Sequence, residues 1–537
     1  MMCIGRMPIA EADCLVPDCL HKCSFCSPII ASMKFTEIMR GVETISITGE
    51  AEIQGIAYDS RKVRPGFLFL AMRGESSDGS RFIDVAVRAG AAAVVTDSQE
   101  SAQPANVAFA RVPHGRKALA AISANFYRRP AGKLRLTGIT GTNGKTTTTF
   151  LTEHILRSAG RSVAMLGTIE YHVAGRILPA PHTTPESLEL NATFAEAVEA
   201  GATEAVMEVS SHALEQGRVY GLHYDLAVFT NLTRDHLDYH QSMESYFAAK
   251  TKLFLGDGAS PPAVAILNLD DEFGMKLRDV ALENGSEVIG YGLHESTARA
   301  EGIAYSASGT RFQLRIGDET IACESRLIGE INVYNVLAAS SAAYARGCSL
   351  EQIRHAVASF GRVPGRFEQV DSGQPFIVVV DYAHTDDALR NLTRIARQLL
   401  TQQKTQGRII TLFGCGGDRD RSKRPLMGRA AGEGSDFVVL TSDNPRSEDP
   451  QQIIADALPG LLQTKTGHTV EPDRRKAIAV ALAEARPGDI VLIAGKGHEK
   501  MQITREGTFP FDDVQVAKEA LAPLGSRAEM REGAPVE

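Results

Sequence analysis

Short runs of apolar residues recur through the central part of the chain, and each run ends in polar residues or in a glycine-rich loop. Continuous apolar runs of this kind are typical of parallel strands that are buried on both faces. Polar residues after such strands lie at the edge where open α/β sheets bind ligands. The runs and the groups that follow them are 134–140 before a glycine-rich loop, 205–207 before Glu208, 226–229 before Thr230 and Asn231, and 263–267 before Asn268. The pattern predicts a mostly parallel sheet with a ligand site along one edge.

The same pattern returns in the last third of the chain. These runs and the groups that follow them are 376–380 before Asp381, 408–413 before Gly414, 437–440 before Asp443, and 490–494 before Gly495. They predict a second nucleotide-binding type of α/β domain, which begins near the segment Val363 to Glu368. Between residues 60 and 95, short apolar runs alternate with Pro-Gly and Asp-Gly turns, which favours a smaller α/β domain before the central one.

The size and charge of the chain narrow the class of protein. With 537 residues, of which 43% are hydrophobic, the chain is long enough for several packed domains. A formal net charge of -8 argues against a nucleic-acid partner, for which a concentrated basic face is the usual sign. The sequence has neither an apolar run near the roughly 20 residues of a membrane span nor the apolar stretch of a signal peptide. We expect a cytoplasmic protein that does not contact membranes.

Five of the eight cysteines lie in the first 26 residues, and two interpretations of them stay open. The spacing Cys23-x-x-Cys26 fits a small metal or redox site. A single such pair in a short unpatterned segment is a weak motif, so we favour an extension, 1–32, that is disordered or not part of the native protein. The remaining cysteines are scattered and are expected to be reduced: Cys323, Cys348 and Cys415.

The strongest motif is GITGTNGKTT at residues 138–147, which follows an apolar run and precedes a helical segment. Glycines let backbone N–H groups face phosphate oxygens, and a helix N-terminus adds partial positive charge. Lys145 would neutralise the β and γ phosphates, and the Thr146 hydroxyl would reach Mg²⁺. The standard pattern has glycine at the position of Ile139, so this is a variant loop; the alternative is a glycine-rich turn that binds nothing. The predicted contacts are Gly141, Thr142, Asn143, Gly144, Lys145, Thr146 and Thr147.

The segment GITGTNGKTTT resembles the ATP loop of the Mur ligase family, which also includes the folylpolyglutamate synthases. Members of that family join amino acids to carboxylates through acyl phosphates. The resemblance extends from Met33 to the C-terminal region and implies a three-domain α/β fold. The implied domains are an N-terminal α/β substrate domain at 33–133, a central P-loop ATPase domain with a mostly parallel sheet at 134–366, and a C-terminal Rossmann-like α/β domain at 367–537.

The resemblance implies metal ligands beside the phosphate loop, because cations must offset the repulsion between ATP and a carboxylate. Glu208 in MEVSSH and His236 in NLTRDHLDYH match metal-binding residues of the family. Lys250 in YFAAKTKLF matches a lysine that the family carbamylates with CO₂, which would give another Mg²⁺ ligand. From the residues alone, a histidine beside an aspartate is more often an ordinary loop residue, and a helical lysine is usually a surface charge.

Further motifs match the nucleotide contacts of the family. Asn268 in NLDD is similar to the residue that contacts adenine, and Arg366 in VPGRFE to the arginine at the γ phosphate. Other matching residues are Asn332 and Asn335 in GEINVYNVLAA, and Asp381 and His384 in DYAHTDDAL, where Asp386 replaces a common proline. The catalytic residues implied are Lys145, Lys250, His236 and Arg366.

Two groups of residues suggest a branch of the family. The first resembles the contacts to a UDP-muramyl peptide: Tyr58, Ser60, Glu75, Ser76, Ser77, His182, Thr183, Thr184, Ser210, Gln216 and Arg218. The second resembles a pocket for meso-diaminopimelate: Arg419, Asp443, Asn444, Pro445, Arg446, Gly495 and Glu499. Diaminopimelate differs from lysine by a distal carboxylate, for which an arginine offers a bidentate partner.

The resemblance thus implies an ATP- and Mg²⁺-dependent ligase that adds meso-diaminopimelate to UDP-N-acetylmuramoyl-L-alanyl-D-glutamate in peptidoglycan precursor synthesis. We expect a monomer with a carbamate on Lys250. A lysine-adding relative, a folylpolyglutamate synthase and a non-enzymatic P-loop switch are the alternatives. Neither a folate ligase nor a switch would need the Asp443-Asn444-Pro445-Arg446 segment.

Overall fold

The structure is a computed structural model that describes residues 32–74, 78–306, 308–403 and 405–532. The proposed extension, with its five cysteines, and the predicted contacts Glu75, Ser76 and Ser77 lie outside the described residues, apart from residue 32 itself. Cys323, Cys348 and Cys415 are buried free thiols, as predicted. None of the described helices combines the length and the apolar character that a membrane span requires.

The first α/β unit is built on a sheet of short strands. Its strands are β1 (Met33–Lys34), β2 (Ser46–Thr48), β3 (Glu52–Ile53), β4 (Gly55–Ala57), β5 (Phe67–Ala71), β6 (Ala93–Thr96) and β7 (Ala108–Arg111). The helices are α1 (Phe35–Ile38), α2 (Ile83–Arg88) and α3 (Gly115–Phe126), with 3₁₀ turns at Ser60–Lys62, Gly79–Phe82 and Pro130–Lys133. Strands β4 to β7 are parallel and adjacent, β2 is antiparallel to β7, and β1 pairs with β3.

The central unit carries the largest sheet. Its strands are β8 (Arg135–Thr140), β9 (Val163–Leu166), β10 (Glu170–Val173), β11 (Arg176–Pro179), β12 (Glu204–Glu208), β13 (Leu226–Phe229), β14 (Val264–Asn268), β15 (Glu287–Gly292), β16 (Ala298–Ser306), β17 (Gly309–Ile316) and β18 (Glu319–Ser325). The helices are α4 (Lys145–Ser158), α5 (Ser187–Glu199), α6 (Ser211–Glu215), α7 (Leu237–His240), α8 (Met243–Leu255), α9 (Glu272–Glu283), α10 (Glu330–Ala345) and α11 (Leu350–Ser359). The order is β11-β10-β9-β12-β8-β13-β14-β15-β16-β17-β18, parallel from β9 to β16 and antiparallel at both edges.

The middle strands of this sheet are buried on both faces, as their continuous apolar runs predicted. Along β12, Val206 packs into the core formed with α4 and α10, whereas Ala205 and Met207 pack into the core formed with α5 and α8. Alternation along a strand puts successive side chains on opposite faces, so the middle of a strand between two helical layers is apolar at consecutive positions.

The third α/β unit has a smaller parallel sheet. Its strands are β19 (Glu368–Val370), β20 (Ile377–Asp381), β21 (Ile409–Cys415), β22 (Phe437–Ser442), β23 (Gly467–Val470) and β24 (Ile490–Ala494), followed by the hairpin β25 (Met501–Thr504) and β26 (Gly507–Pro510). The helices are α12 (Asp386–Gln403), α13 (Arg424–Gly434), α14 (Pro450–Leu462), α15 (Arg474–Glu484) and α16 (Asp513–Glu532), with a 3₁₀ turn at Arg421–Lys423. The order is β19-β20-β24-β21-β22-β23, and only β19 is antiparallel to its neighbour among the described strands of this sheet.

The predicted fold class, three α/β units with a mostly parallel central sheet, is confirmed. Each of the three main sheets lies within one of the predicted domains, whose boundary residues stay predictions. The central and third units are in contact, because Ile328 and Ile331 pack into the core of the third unit. A Cβ atom on Gly329 would lie 2.5 Å from a carbon of Ile395 in α12, so α12 approaches the start of α10 closely.

Candidate active site

The phosphate loop connects β8 to α4 and depends on two glycines. Gly141 and Gly144 have φ angles of 143° and 85°, a region that L side chains rarely occupy. A Cβ atom on Gly141 would lie 1.9 Å from the Thr230 hydroxyl oxygen, and one on Gly144 would lie 2.4 Å from the Asn335 side-chain oxygen. Neither position has room for a larger residue.

The end of the neighbouring strand β13 holds this loop in place. The Thr142 backbone N–H donates to the Asn231 carbonyl at 2.8 Å, and the Asn143 backbone N–H donates to Asn231 Oδ1 at 2.9 Å. The Thr230 hydroxyl donates to the Asn143 carbonyl at 2.6 Å. These bonds use polar residues that directly follow β13, and they make the loop a preformed anion cradle.

Lys145 begins α4, and its ammonium group folds back over the loop. It donates to the carbonyl oxygens of Gly141 and Thr142, at 3.0 and 2.8 Å. Burial lowers the pKa of Lys145, while the negative charges of Glu208 and Asp235 oppose that shift. A partly buried cation next to loop carbonyls would be stabilised by an incoming phosphate.

Glu208 ends β12 beside the same helix start. One carboxylate oxygen accepts from the Thr168 backbone N–H at 2.7 Å, and the other accepts from the hydroxyls of Thr146 and Thr168 at 3.1 and 3.0 Å. Glu208 is fully buried, and no ion pair to it is formed within the described part of the chain. A buried carboxylate without a cation is costly, and oxygen donors are what Mg²⁺ prefers. The chemistry of Thr146 and Glu208 therefore fits a magnesium ion.

His236 lies farther along the same edge of the sheet, with a φ angle of 54°. Its Nε2 atom lies 3.4 Å from a carboxylate oxygen of Asp235. Burial lowers the pKa of His236 against the opposing charge of Asp235, so its imidazole is neutral and keeps a lone pair for a metal. Among the described residues, no group of three or more histidine, cysteine or acidic side chains is arranged around a common metal position. The metal roles of Glu208 and His236 stay predictions.

Lys250 is not a surface charge, because its side chain on α8 is 1% exposed. Its ammonium nitrogen donates to the Gly141 carbonyl at 2.8 Å and lies over the ring of Tyr246. Burial, with repulsion from Lys145, holds the pKa of Lys250 well below its ordinary value. A neutral amine is the form that can attack CO₂, so this environment suits carbamate formation.

Arg366 reaches the phosphate loop from the junction with the third unit. Its guanidinium group donates to the Thr146 hydroxyl at 3.2 Å and lies over the ring of Tyr382, 4.7 Å from the ring centre. The Asp381 carboxylate at the end of β20 accepts from the backbone N–H groups of Phe367 and Ala383, at 2.7 and 2.8 Å. Asp381 thereby fixes the turn that carries Arg366.

Two small cavities adjoin the loop between the central and third units. One, of about 150 Å³, is lined by Asn268, Asn335 and Tyr291, and the Asn268 amide donates to the Thr230 carbonyl at 2.8 Å. The other, of about 100 Å³, is lined by Thr147, Asn332, Arg366 and His384, among others. The structure therefore brings together the residues predicted for the nucleotide base and for its phosphates.

The predicted muramyl-peptide residues lie in two connected places. Tyr58 and Ser60 line a cavity of about 460 Å³ in the N-terminal unit. The Tyr58 hydroxyl donates to Glu189 of α5 at 2.9 Å, which joins this cavity to the central unit. Burial, together with the negative charge of Glu189, raises the pKa of Tyr58, which stays a hydrogen-bond donor at neutral pH.

The second place lies directly beside Glu208. The Thr184 hydroxyl donates to the Glu208 carbonyl at 2.8 Å and accepts from the Ser210 backbone N–H at 3.1 Å. Arg218 donates to the Thr184 carbonyl and to Gln216 Oε1, at 3.0 and 2.7 Å. Two predicted residues complete this group through their own bonds: the Thr183 hydroxyl pairs with Thr168, and the His182 carbonyl accepts from Tyr171.

A fourth cavity, of about 210 Å³, joins the third unit to the central one. It is lined by the predicted residues Arg419, Asp443, Asn444, Arg446, Gly495 and Glu499, together with Asp235, His236 and His384. The Asn444 amide donates to Glu499 at 2.7 Å, and Arg446 donates to the Gly417 carbonyl at 2.7 Å. Pro445 lines a neighbouring cavity instead. The pocket therefore combines two arginines with the Glu499 carboxylate, and His236 lines the same cavity.

Several residues of the site were not assigned from the sequence. Thr168 orients Glu208, Asp387 accepts from the Asn143 side chain at 2.8 Å across the two units, and Lys496 lies beneath Asn444. Lys496 belongs to the segment AGKGHE, which could have pointed to it. Asp387 belongs to the motif DYAHTDDAL but was given no role there. Thr168 stands in no motif, and only the folded chain brings it to the site.

A phosphate loop at the edge of a parallel sheet, facing a polar pocket of a third α/β unit, defines a nucleotide-dependent enzyme of the P-loop type. Comparison with known families specifies the class. The Mur ligase middle domain matches residues 139–343, the Mur ligase glutamate ligase domain matches 365–497, and the Mur ligase family catalytic domain matches 52–127. The chain belongs to the Mur ligase family and is therefore an ATP-dependent ligase, which confirms both predictions.

Similar proteins share nearly the whole chain. A UDP-N-acetylmuramoyl-L-alanyl-D-glutamate--2,6-diaminopimelate ligase of Solibacter usitatus is 54% identical over 89% of this chain and 95% of its own. A ligase of the same name from Geobacter sulfurreducens is 45% identical over 92% and 99%. A solved structure with that name is 34% identical with a TM-score of 0.64, and the match covers 92% of this chain and 99% of the other.

Proposed function

We propose that this ligase adds meso-diaminopimelate to UDP-N-acetylmuramoyl-L-alanyl-D-glutamate, as a cytoplasmic monomer in peptidoglycan precursor synthesis. The observation that carries this proposal is the pocket between the units, where Arg419, Arg446 and Glu499 face the central site. The names of the similar proteins support the same substrates.

The reaction would proceed through an acyl phosphate. The terminal carboxylate of the D-glutamate residue attacks the γ phosphorus of ATP, and ADP leaves. The amine of diaminopimelate then attacks the acyl carbon, inorganic phosphate leaves, and the amine loses a proton. Lys145 and Arg366 stabilise the charge on the transferred phosphoryl group, since both already contact the loop that would hold it.

The residues of the acceptor pocket support a preference for diaminopimelate over lysine. The distal carboxylate of diaminopimelate would pair with Arg446 and Arg419, and its distal ammonium with Glu499. Lysine has no group for the two arginines, whose guanidinium groups would stay without an anion. His236 lines the same cavity, which supports an approach of the amine from the side of the phosphate loop.

Magnesium would be held by Thr146, Glu208 and His236, with a carbamate on Lys250 as a further ligand. Bound there, the ion would neutralise phosphate charge. Lys250→Arg keeps a long basic side chain but cannot form the carbamate. We expect protein incubated with ¹³C-labelled bicarbonate to give a carbamate carbon signal in NMR that the variant lacks. An identical signal from the variant would reject Lys250 as the modified residue.

The substrate proposal is tested by phosphate release with ATP and the muramyl dipeptide, adding either meso-diaminopimelate or L-lysine. We expect release and tripeptide formation only with diaminopimelate. Arg446→Ala should raise the KM for diaminopimelate roughly 10- to 100-fold, as expected for a lost charged hydrogen-bond pair. Arg446→Lys, which keeps the charge but not the planar fork, should recover only part of this loss. Turnover with lysine would reject the specificity, and no response to either amine would favour the folate ligase or the switch.

A further inference from the structure

Lys496 is a buried cation directly beneath the acceptor pocket. It follows β24, and its side chain is 0% exposed. Its ammonium group donates to Asn444 Oδ1 at 3.0 Å, to Glu499 Oε2 at 3.2 Å and to the Met501 carbonyl at 2.6 Å. An ammonium group has three N–H donors, so these three bonds satisfy it completely.

The three bonds fix the orientation of two pocket residues. Asn444 Oδ1 also accepts from the Ile503 backbone N–H at 3.0 Å, so its amide nitrogen must point to Glu499 Oε2, 2.7 Å away. Both bonds to the Glu499 carboxylate end on Oε2, and within the described residues none ends on Oε1. The carboxylate is thus held by one oxygen, and the other is available to a ligand.

Lys496 does not line the pocket that Asn444 and Glu499 line. It can therefore act on an amine substrate only through these two side chains. Burying a lysine is costly unless it is paired, and an apolar residue of similar length would serve stability as well or better. Two of its three bonds end on residues that line the pocket, which connects this lysine to the site.

We propose that Lys496 is a positioning residue that sets affinity for the amino-acid substrate by holding Asn444 and Glu499. This inference rests on the proposed function, because it takes diaminopimelate as the ligand of the pocket. Without the ammonium group, Asn444 can rotate its amide and Glu499 can leave the pocket wall. Formation of the acyl phosphate, which needs neither residue, should be unaffected.

The test compares Lys496→Met and Lys496→Arg with wild type. We expect Lys496→Met to raise the KM for meso-diaminopimelate roughly tenfold or more, with the KM values for ATP and the muramyl dipeptide within about twofold of wild type. Lys496→Arg, which keeps the charge and the donors, should recover part of the loss. Lys476→Met is the matched control, since Lys476 is 72% exposed on α15 and should leave all three constants unchanged.

A second readout separates the acceptor from the phosphoryl side. Hydroxylamine displaces phosphate from an acyl phosphate and leaves a hydroxamate, so hydroxamate yield without diaminopimelate measures the first step alone. Wild-type yield in Lys496→Met supports the proposal; loss of hydroxamate, or an unchanged KM for diaminopimelate, overturns it. If Lys496→Met does not fold, the same comparison is made with Lys496→Arg, where an unchanged KM again overturns it. Failure of the proposed function would show in wild type, as absence of diaminopimelate-dependent turnover.

Discussion

Two glycines of the phosphate loop are required because neighbouring side chains occupy the space that a larger residue would need. Gly141 lies against Thr230, which directly follows β13. Gly144 lies against Asn335, which is part of α10. The motif was recognisable because glycine is the residue that tolerates both the backbone angles and the close approach. What these glycines face could not be predicted, since Asn335 is almost 200 residues away along the chain.

Replacing Gly141 by alanine should cost both stability and nucleotide affinity. The added methyl group would lie 1.9 Å from the Thr230 hydroxyl oxygen, which must move and release the Asn143 carbonyl. We expect a loss of about 1–3 kcal/mol in the free energy of unfolding, measured in urea, and weaker ATP binding by calorimetry. Gly132→Ala is the control, because nothing lies within 4 Å of its Cβ position. Equal behaviour of the two variants would contradict this account of the loop.

Helix α4, which follows the phosphate loop, is bonded to strand β10 of the central sheet through a histidine. His172 on β10 lies between Glu153 of α4 and Glu170, with both nitrogen–oxygen distances at 2.8 Å. Burial alone would favour the neutral ring, but hydrogen bonds and charge from the two glutamates outweigh it and raise the pKa of His172. The charged ring therefore stabilises the contact between α4 and β10.

This contact predicts a pH-dependent difference between wild type and His172→Gln. Because the folded-state pKa is raised, the extra stability is fully present below the ordinary histidine pKa of about 6.5. This extra stability is lost as pH rises through the raised pKa of His172. We expect wild type to exceed the variant by on the order of 1 kcal/mol at pH 5.5, with the gap closing above neutral pH in urea unfolding. The exposed pair of His355 and Glu351 supplies the control, His355→Gln, for which a similar pH dependence would sink the prediction.

At the scale of the whole molecule, the site is assembled from three α/β units. The phosphate loop comes from the central sheet, Arg366 from the junction, and the acceptor pocket from the third unit. Contacts between the central and third units include the Asn143–Asp387 hydrogen bond and the ion pair of Arg394 with Glu330, at 3.1 Å. Bringing amine and acyl phosphate together requires this approach, which also excludes water.

Arg394→Ala should let the central and third units separate more easily, with little effect on the free energy of unfolding. Exposed ion pairs contribute about 0–1 kcal/mol, so the melting temperature should change little while the radius of gyration from small-angle scattering increases. Arg475→Ala removes a pair with Glu519 inside the third unit and should leave the radius unchanged. The same radius for both variants would mean that the Arg394 pair does not hold the units together.

The hydrophobic pattern of the chain predicted the phosphate loop and several of the buried strands that lead to the site. The predicted runs 226–229 and 490–494 coincide with β13 and β24, because strands buried on both faces must be apolar throughout. The helix start at Lys145 also agrees. Assignments such as Lys250 and Arg446 came from motif resemblance, since spacing alone does not distinguish a buried lysine from a surface one.

Which of these residues meet, and how they are held, depends on the folded arrangement of the chain. It buried Lys250 beside Gly141, set Thr168 against Glu208, and placed Lys496 under Asn444. These contacts join segments tens to more than a hundred residues apart, and each depends on strand order and on packing between units. Local sequence patterns predict strands and helices, but they do not specify contacts between segments that are far apart along the chain.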